Sequence, residues 1–439
     1  MKQKFMLACL LFLSLAVSSF AAGDSFSDIN FNIRKNMPSR TMNVPAASKA
    51  QSLKNPNAGP AEWTIMVFVN GKNNLEKFAL RDINEMEMVG STDKVNIVVE
   101  VGRMDGFDTS DGDWKGVRRY YITKDSDMRK VNSTMLEDLG MIDMGDYNTA
   151  IEFGKWAKKK YPAKKYMFVL WNHGSGWIKS VRSYGMMKGI SYDDQSHNHI
   201  DTPQMAKILK AIGGVNVYGS DACLMQMAEV IYEIKDYAQY VVGSEDVEPG
   251  AGWTYNAFLD PLAKNPSMGG DSLAKAVVDA YAGYYEKLGV GYTQSYVNSA
   301  TADTLKILVN ALISDIVQAN EIEAVRYARD NALKFEYADN KDLYDFVSLL
   351  VSKAKSSEVQ KQGQMLMSYM TKKIVGHNRS KDQKETAWQD ARPLSRAKGI
   401  AIYFPKVAPS DYYKELKWAE NSNWDYLIKW TAEGGKKKQ

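Results

Sequence analysis

The stretch VNVYGSDACLMQ, residues 215–226, decides the fold. Its first half is apolar and β-branched, and it ends in Gly219-Ser220-Asp221. Its second half opens LMQMAEVIYEI (224–234), where apolar residues recur at helical spacing. A short buried strand feeding straight into a helix is the repeating unit of a parallel sheet with helical crossovers. The spacing predicts a helix that begins at Leu224 and places Cys223 at its N-terminus.

The same alternation extends on both sides. Upstream lie TPQMAKILKAI (202–212), a helix with Thr202 as its cap and Pro203 in its first turn, and the buried strand YMFVLW (166–171). Before these come the helix NTAIEFGKWAKKKY (148–161) and strands at VRRYYIT (117–123) and VNIVVEV (95–101). The amphipathic run NNLEKFALRDINEMEMV and the strand EWTIMVFV (62–69) precede them, and QYVVGS (239–244) follows downstream. Continuously apolar strands separated by amphipathic helices predict an α/β domain over residues 61–265, with a mostly parallel sheet flanked by helices. Residues 266–439 read as mainly helical, with YTQSYVNSA (292–300) and KGIAIYFP (398–405) as strands that extend or cover the sheet.

The chain has 439 residues, a net charge of +4 and 45% hydrophobic residues, with no clustered basic face of the kind that binds nucleic acid. MKQKF, then MLACLLFLSLAV, then SSFAAG have the order of a secretory signal over residues 1–22. The expectation is an exported protein, periplasmic or extracellular, with no membrane anchor once the signal is removed. Residues 23–60 are polar and rich in Asn, Ser, Pro and Lys, the composition of a flexible leader. Of two cysteines, Cys9 lies in the signal, so Cys223 has no partner for an intramolecular disulfide. A lone thiol in that setting is reactive, pairs between molecules, or serves as a small buried hydrophobe.

Ligands of parallel α/β sheets bind beyond the carboxyl ends of the strands. Two loops fall there: NHGSGW (172–177), carrying His173, and DACLM (221–225), carrying Cys223. A thiolate is the nucleophilic form of cysteine, and an imidazole beside it completes a nucleophile and an acid–base group. The backbone N–H groups of Gly174 and Cys223 are candidate donors to the oxyanion of a tetrahedral intermediate. The other reading of the pair is a core histidine and a core cysteine. His197 and His199 stand in a polar loop without a third ligand, and His377 stands alone. DGFDTSDGDW (105–114) is a candidate calcium loop whose spacing departs from the EF-hand pattern, and NGKNNL lacks P-loop spacing.

Taken together, WTIMVFVNGKNNLE, YPAKKYMFVLWNHGSGW, GSDACLMQMAEV, GSEDVEPGAGWTY (243–255) and GIAIYFP (399–405) resemble the clostripain family of cysteine endopeptidases. That family belongs to the group that includes caspases, legumain and gingipains. The resemblance runs from about residue 62 to the end, and His173 and Cys223 are fifty residues apart (223 − 173). It implies a caspase-like sheet, Cys223 as nucleophile, and His173 as the donor of a proton to the leaving amine. It also implies that Asp221 lies in the pocket for the residue before the cut bond. A carboxylate there selects protein or peptide substrates with Arg or Lys at that position; without the resemblance, Asp221 is equally a helix cap. The family's precursors are cut after a basic residue between the histidine and cysteine blocks, which makes Lys179, Arg182 and Lys188 candidates, Lys188 foremost. No cofactor is required for this chemistry. Calcium stays open, although Lys72 stands where many relatives carry an acidic residue. A peptide-binding module without turnover and a transpeptidase or ligase are the alternatives on the same fold.

Overall fold

The structure is a computed structural model that describes residues 60–177, 180–182, 185–187, 189–385 and 390–435. The expected signal segment and nearly all of the leader lie outside the described residues. Among the described residues, nine strands make one central sheet. In chain order its elements are β1 (Ala61–Asn70), α1 (Glu76–Glu87), β2 (Val95–Arg103), β3 (Gly116–Tyr121), β4 (Thr134–Gly140), α2 (Tyr147–Lys160), β5 (Ala163–Trp171) and α3 (Thr202–Ala211). They continue with β6 (Val215–Asp221), α4 (Ala228–Ile234), β7 (Ala238–Gly243), α5 (Tyr255–Lys264), α6 (Gly270–Leu288), β8 (Tyr292–Asn298) and, after further helices, β9 (Val375–Lys381). The strand order is β9-β8-β7-β6-β5-β1-β2-β3-β4. The five strands from β7 to β2 are parallel, and antiparallel pairs close both sides.

The apolar runs are continuous because both faces of the sheet are covered. On one face Met66 and Phe68 of β1, with Phe168 and Leu170 of β5, pack on Phe153 of α2, Leu209 of α3 and Val230 of α4. On the other, Ile65, Val67 and Val69 of β1, with Val169 and Trp171 of β5, pack on Phe78 of α1, Phe258 of α5 and Val277 of α6. Each fully buried side chain of this size contributes about 1.5–3 kcal/mol, which fixes strand register wherever both faces are filled. The C-terminal helices, from Ala302–Ala319 to Trp424–Ala432, add Leu305, Phe346, Trp418 and Trp424 to the first of these cores.

Two local expectations are corrected. The segment after Cys223 is not helical until Ala228, because the Leu224 and Gln226 N–H groups donate to Asp246 O and Ser244 O (both 3.0 Å). α3 is capped by Asp201, not Thr202: Asp201 accepts from Gln204 N–H while the Gln204 side chain accepts from Asp201 N–H. The strand near residue 400, Ala401–Tyr403, pairs with Asn340–Asp342 in a separate two-stranded sheet, places Ala401 and Ile402 in the first core, and meets the nucleophile loop through a bridge from Ala401 to Met227. Further on, the helix Ser357–Tyr369 gives way to a π-helical turn, Met370–Ile374, that leads into β9.

Candidate active site

β1, β5 and β6 are neighbours and end level with one another. Trp171 pairs with Val69 on one side and with Asp221 on the other. Three loops therefore leave the sheet side by side, and asparagines stitch them together. Asn172 donates its backbone N–H to Asp221 O (3.2 Å) and its amide to Asn70 O (2.6 Å), and it accepts from Tyr192 N–H (2.9 Å). Asn73 accepts from Leu75 N–H (2.9 Å) and donates to Tyr192 O (2.7 Å). Between these anchors, Asn74 Oδ1 lies 2.7 Å from His173 Nε2.

The histidine loop rests directly on the cysteine loop. A Cβ added to Gly174 would sit 3.0 Å from Ala222 Cβ, 3.1 Å from Met225 Cγ, and closer still to the Cys223 carbonyl oxygen. Gly176, with φ +62°, is pressed in the same way onto Met227 and Leu224 O. Only glycine admits this approach of two backbones. Ser175 N–H donates to Gly189 O (2.9 Å), and Gly174 forms an isolated antiparallel bridge with Ile190.

Cys223 is buried, and its Sγ accepts the Glu248 backbone N–H at 3.3 Å. This donor replaces the helix terminus expected from the sequence, since α4 begins five residues beyond the thiol and Leu224 adopts φ +64°. Asp221 caps no helix. Its Oδ1 accepts from Trp253 N–H (3.1 Å) and its Oδ2 from the Tyr255 hydroxyl (2.9 Å). Glu248 Oε1 accepts from the Trp253 indole N–H (3.2 Å). Burial, and then the charge of Asp221, hold the Tyr255 phenol far above its ordinary range, so it remains a donor. Tyr281 is raised likewise, by burial first and the Glu248 charge second.

His173, Asp221, Ala222, Cys223 and Glu248 line one pocket, with Leu75 and Asn172 at its side. The pocket thus joins an imidazole and a thiol to two carboxylates. Sequence reasoning missed Asn74 and Glu248. Both fall within quoted motifs, but the pattern assigned no partner to either.

Of the processing candidates, Lys179 and Lys188 lie outside the described residues, and Arg182 ends the short strand Ser180–Arg182 paired with Gly185–Met187. His199 stacks on Tyr192, and His377 pairs with Asp279 at 2.7 Å, both away from the pocket. The Asp-rich loop closes on cations of the protein: Arg103 donates to Ser110 O and Asp108 O, and Lys115 pairs with Asp113 at 2.6 Å. Lys72 is buried with its Nζ 2.9 Å from Asp193 Oδ2. Among the described residues, no group of three or more His, Cys, Asp or Glu is arranged to hold a metal ion.

A model of the clostripain family matches residues 67–431. Clostripain of Hathewaya histolytica is 27% identical over 246 residues, 51% of this chain and 46% of that protein, so the match spans about half the length of that relative. Among solved structures, a secreted C11 cysteine protease from Bacteroides thetaiotaomicron, bound to an irreversible peptide inhibitor, has a TM-score of 0.63 at 20% identity. It covers 83% of this chain and 99% of its own. An inactive zymogen C11 protease from Parabacteroides distasonis also has a TM-score of 0.63 at 20% identity, over 83% and 98%. At these identities the likeness concerns the fold: a mostly parallel sheet flanked by helices with a helical C-terminal part.

Proposed function

We propose that this chain, which belongs to the clostripain family, is an exported cysteine endopeptidase that cleaves after Arg or Lys through Cys223 and His173. The observation that carries the reading is the contact of Gly174 with the Cys223 carbonyl oxygen, which brings the histidine and nucleophile loops to one pocket. The Cys223 thiolate attacks the scissile carbonyl, and the oxyanion receives the N–H groups of Gly174 and Cys223. His173 protonates the leaving amine, which departs with the C-terminal product. Water, deprotonated by His173, then attacks the thioester, releasing the acid and restoring the thiol. Asp221, held by Tyr255 and Trp253, receives the guanidinium or ammonium of the substrate, and Glu248 adds a second negative charge to the pocket.

The precursor is activated by a cut after Lys179, Arg182 or Lys188. Export is directed by residues 1–22; among the described residues no helix is long and apolar enough to cross a membrane. The test is to incubate wild type and Cys223→Ala side by side, weigh the fragments by mass spectrometry, and assay peptides with Arg or Lys before a reporter group. Wild type is expected to cut itself in the 179–188 loop and to release the reporter, and Cys223→Ala to do neither. A wild type that stays inactive after controlled cleavage in that loop, or an active Cys223→Ala, overturns the reading. Peptide binding without turnover would indicate a binding module, and joined products in the presence of an amine acceptor a ligase.

A further inference from the structure

We propose that Asn74 is the positioning residue of His173, so that three adjacent strand ends, not two, build the reactive centre. The inference rests on the peptidase reading above and adds the residue that orients its acid–base group. Asn74 Oδ1 is an acceptor only, so at 2.7 Å the His173 Nε2 must carry the hydrogen and donate it. The neutral ring then holds its proton on Nε2 and its lone pair on Nδ1, and the hydrogen bond fixes the ring plane.

The turn that carries Asn74 is tied down by its neighbours. Asn73 is tied to Leu75 N–H and Tyr192 O, and Asn70 accepts from Lys72 N–H (3.1 Å) and donates to Ser191 Oγ (3.1 Å). These bonds turn the chain from β1 into α1 so that residue 74 faces the histidine loop. A neutral amide suits the task. It orients the imidazole without the full negative charge that would hold the ring doubly protonated, and it leaves Nδ1 to carry the second proton that His173 gives to the leaving amine while Nε2–H stays on Asn74.

The test compares Asn74→Ala and Asn74→Asp with wild type. Around His173 the titratable groups lining the pocket are Cys223, Asp221 and Glu248, with Tyr192 and the Lys72–Asp193 pair behind the asparagine turn; all are unchanged in both variants. For Asn74→Ala, kcat is expected to fall about 10- to 100-fold with KM within about twofold, because orientation of the acid–base group is lost and not the substrate pocket. Asn74→Asp keeps an acceptor and adds a charge. It should recover part of kcat and move the His-dependent limb of the pH profile up by about one unit.

A readout independent of turnover is the ring nitrogen NMR titration of His173, identified by the signal lost in His173→Gln. Neutral wild type is expected in the Nε2–H form, Asn74→Ala as a mixture of tautomers, and Asn74→Asp with a raised titration midpoint. Wild-type kcat and pH profile in Asn74→Ala overturn the inference. So does an equal loss in both variants with lowered Tm and an unmoved His173 titration, since Asn74 would then only hold the loop. If wild type hydrolyses nothing, the peptidase reading fails, and the NMR titration still decides the role of Asn74.

Discussion

Replacing Gly174 by alanine perturbs the contact on which the proposed chemistry depends. Gly174 is not among the residues with positive φ, so alanine meets no backbone penalty and the effect is steric. The added methyl would lie 3.0 Å from Ala222 Cβ and 3.1 Å from Met225 Cγ, and would overlap the Cys223 carbonyl oxygen. That oxygen belongs to the backbone and has no rotamer to adopt, so the two loops must separate by roughly 1 Å, a displacement of a size that costs on the order of 10²-fold in rate. Forcing the overlap into a packed site costs about 1–3 kcal/mol of stability. The assay is kcat/KM on Arg and Lys reporter peptides after controlled cleavage, with Tm measured in parallel. Gly283→Ala in α6 is the control, because an added Cβ there meets nothing within 4 Å; it should be neutral or gain up to about 1 kcal/mol from helix propensity. A Gly174→Ala protein with wild-type kcat/KM and Tm refutes the loop contact as the basis of the site.

Asp221→Asn is expected to lower kcat/KM on Arg and Lys peptides about 100-fold, the scale of a lost charge-assisted bond, while leaving the weak cleavage of neutral peptides unchanged; equal losses on both would remove Asp221 from specificity. Burial raises the Glu229 carboxyl from 4.5 to about 7, although its Oε1 accepts from Tyr403 N–H and the Tyr413 hydroxyl. Its contribution is therefore full below about pH 4.5, declines as pH rises, and is lost by the time pH passes its folded value. Glu229→Gln should accordingly be more stable than wild type at pH 8, by an amount on the order of 3 kcal/mol, with no gain at pH 4. A gain independent of pH in denaturant titrations would contradict this. Lys72→Met leaves the Asp193 carboxylate buried beside an apolar chain and should destabilise by about 3–5 kcal/mol in the same titrations; an unchanged midpoint would show that the pair carries no net stability.

The parallel core was legible because burial on both faces writes itself as unbroken apolar runs, as in EWTIMVFV and YMFVLW. The loop positions of His173 and Cys223 followed from where those runs end. The edges were not legible. β4 is half exposed, with Thr134, Met135 and Asp138 open to solvent, so it lacks that signature. β9 follows a helix whose apolar spacing runs on into it. The helix expected from Leu224 failed for a different reason. Its residues have helical periodicity, but the N–H groups of Leu224 and Gln226 are taken by the 244–246 segment, which a local pattern cannot register. Asn74 and Glu248 escaped because each acts through a loop distant in sequence: Asn74 through His173, 99 residues away, and Glu248 through Cys223, 25 residues away.

The pairing of β5 with β6 has a consequence for a chain severed between them. Residues up to 182 would carry β1–β5, and residues from 189 on would carry β6–β9, joined in the middle of the sheet by five register pairs from Val217↔Met167 to Asp221↔Trp171. Neither piece owns a complete site, and each alone presents a bare inner strand as an adhesive edge. The halves are expected to behave as a split protein: supplied as two polypeptides they should reconstitute by strand complementation, at a rate that rises with the concentration of both.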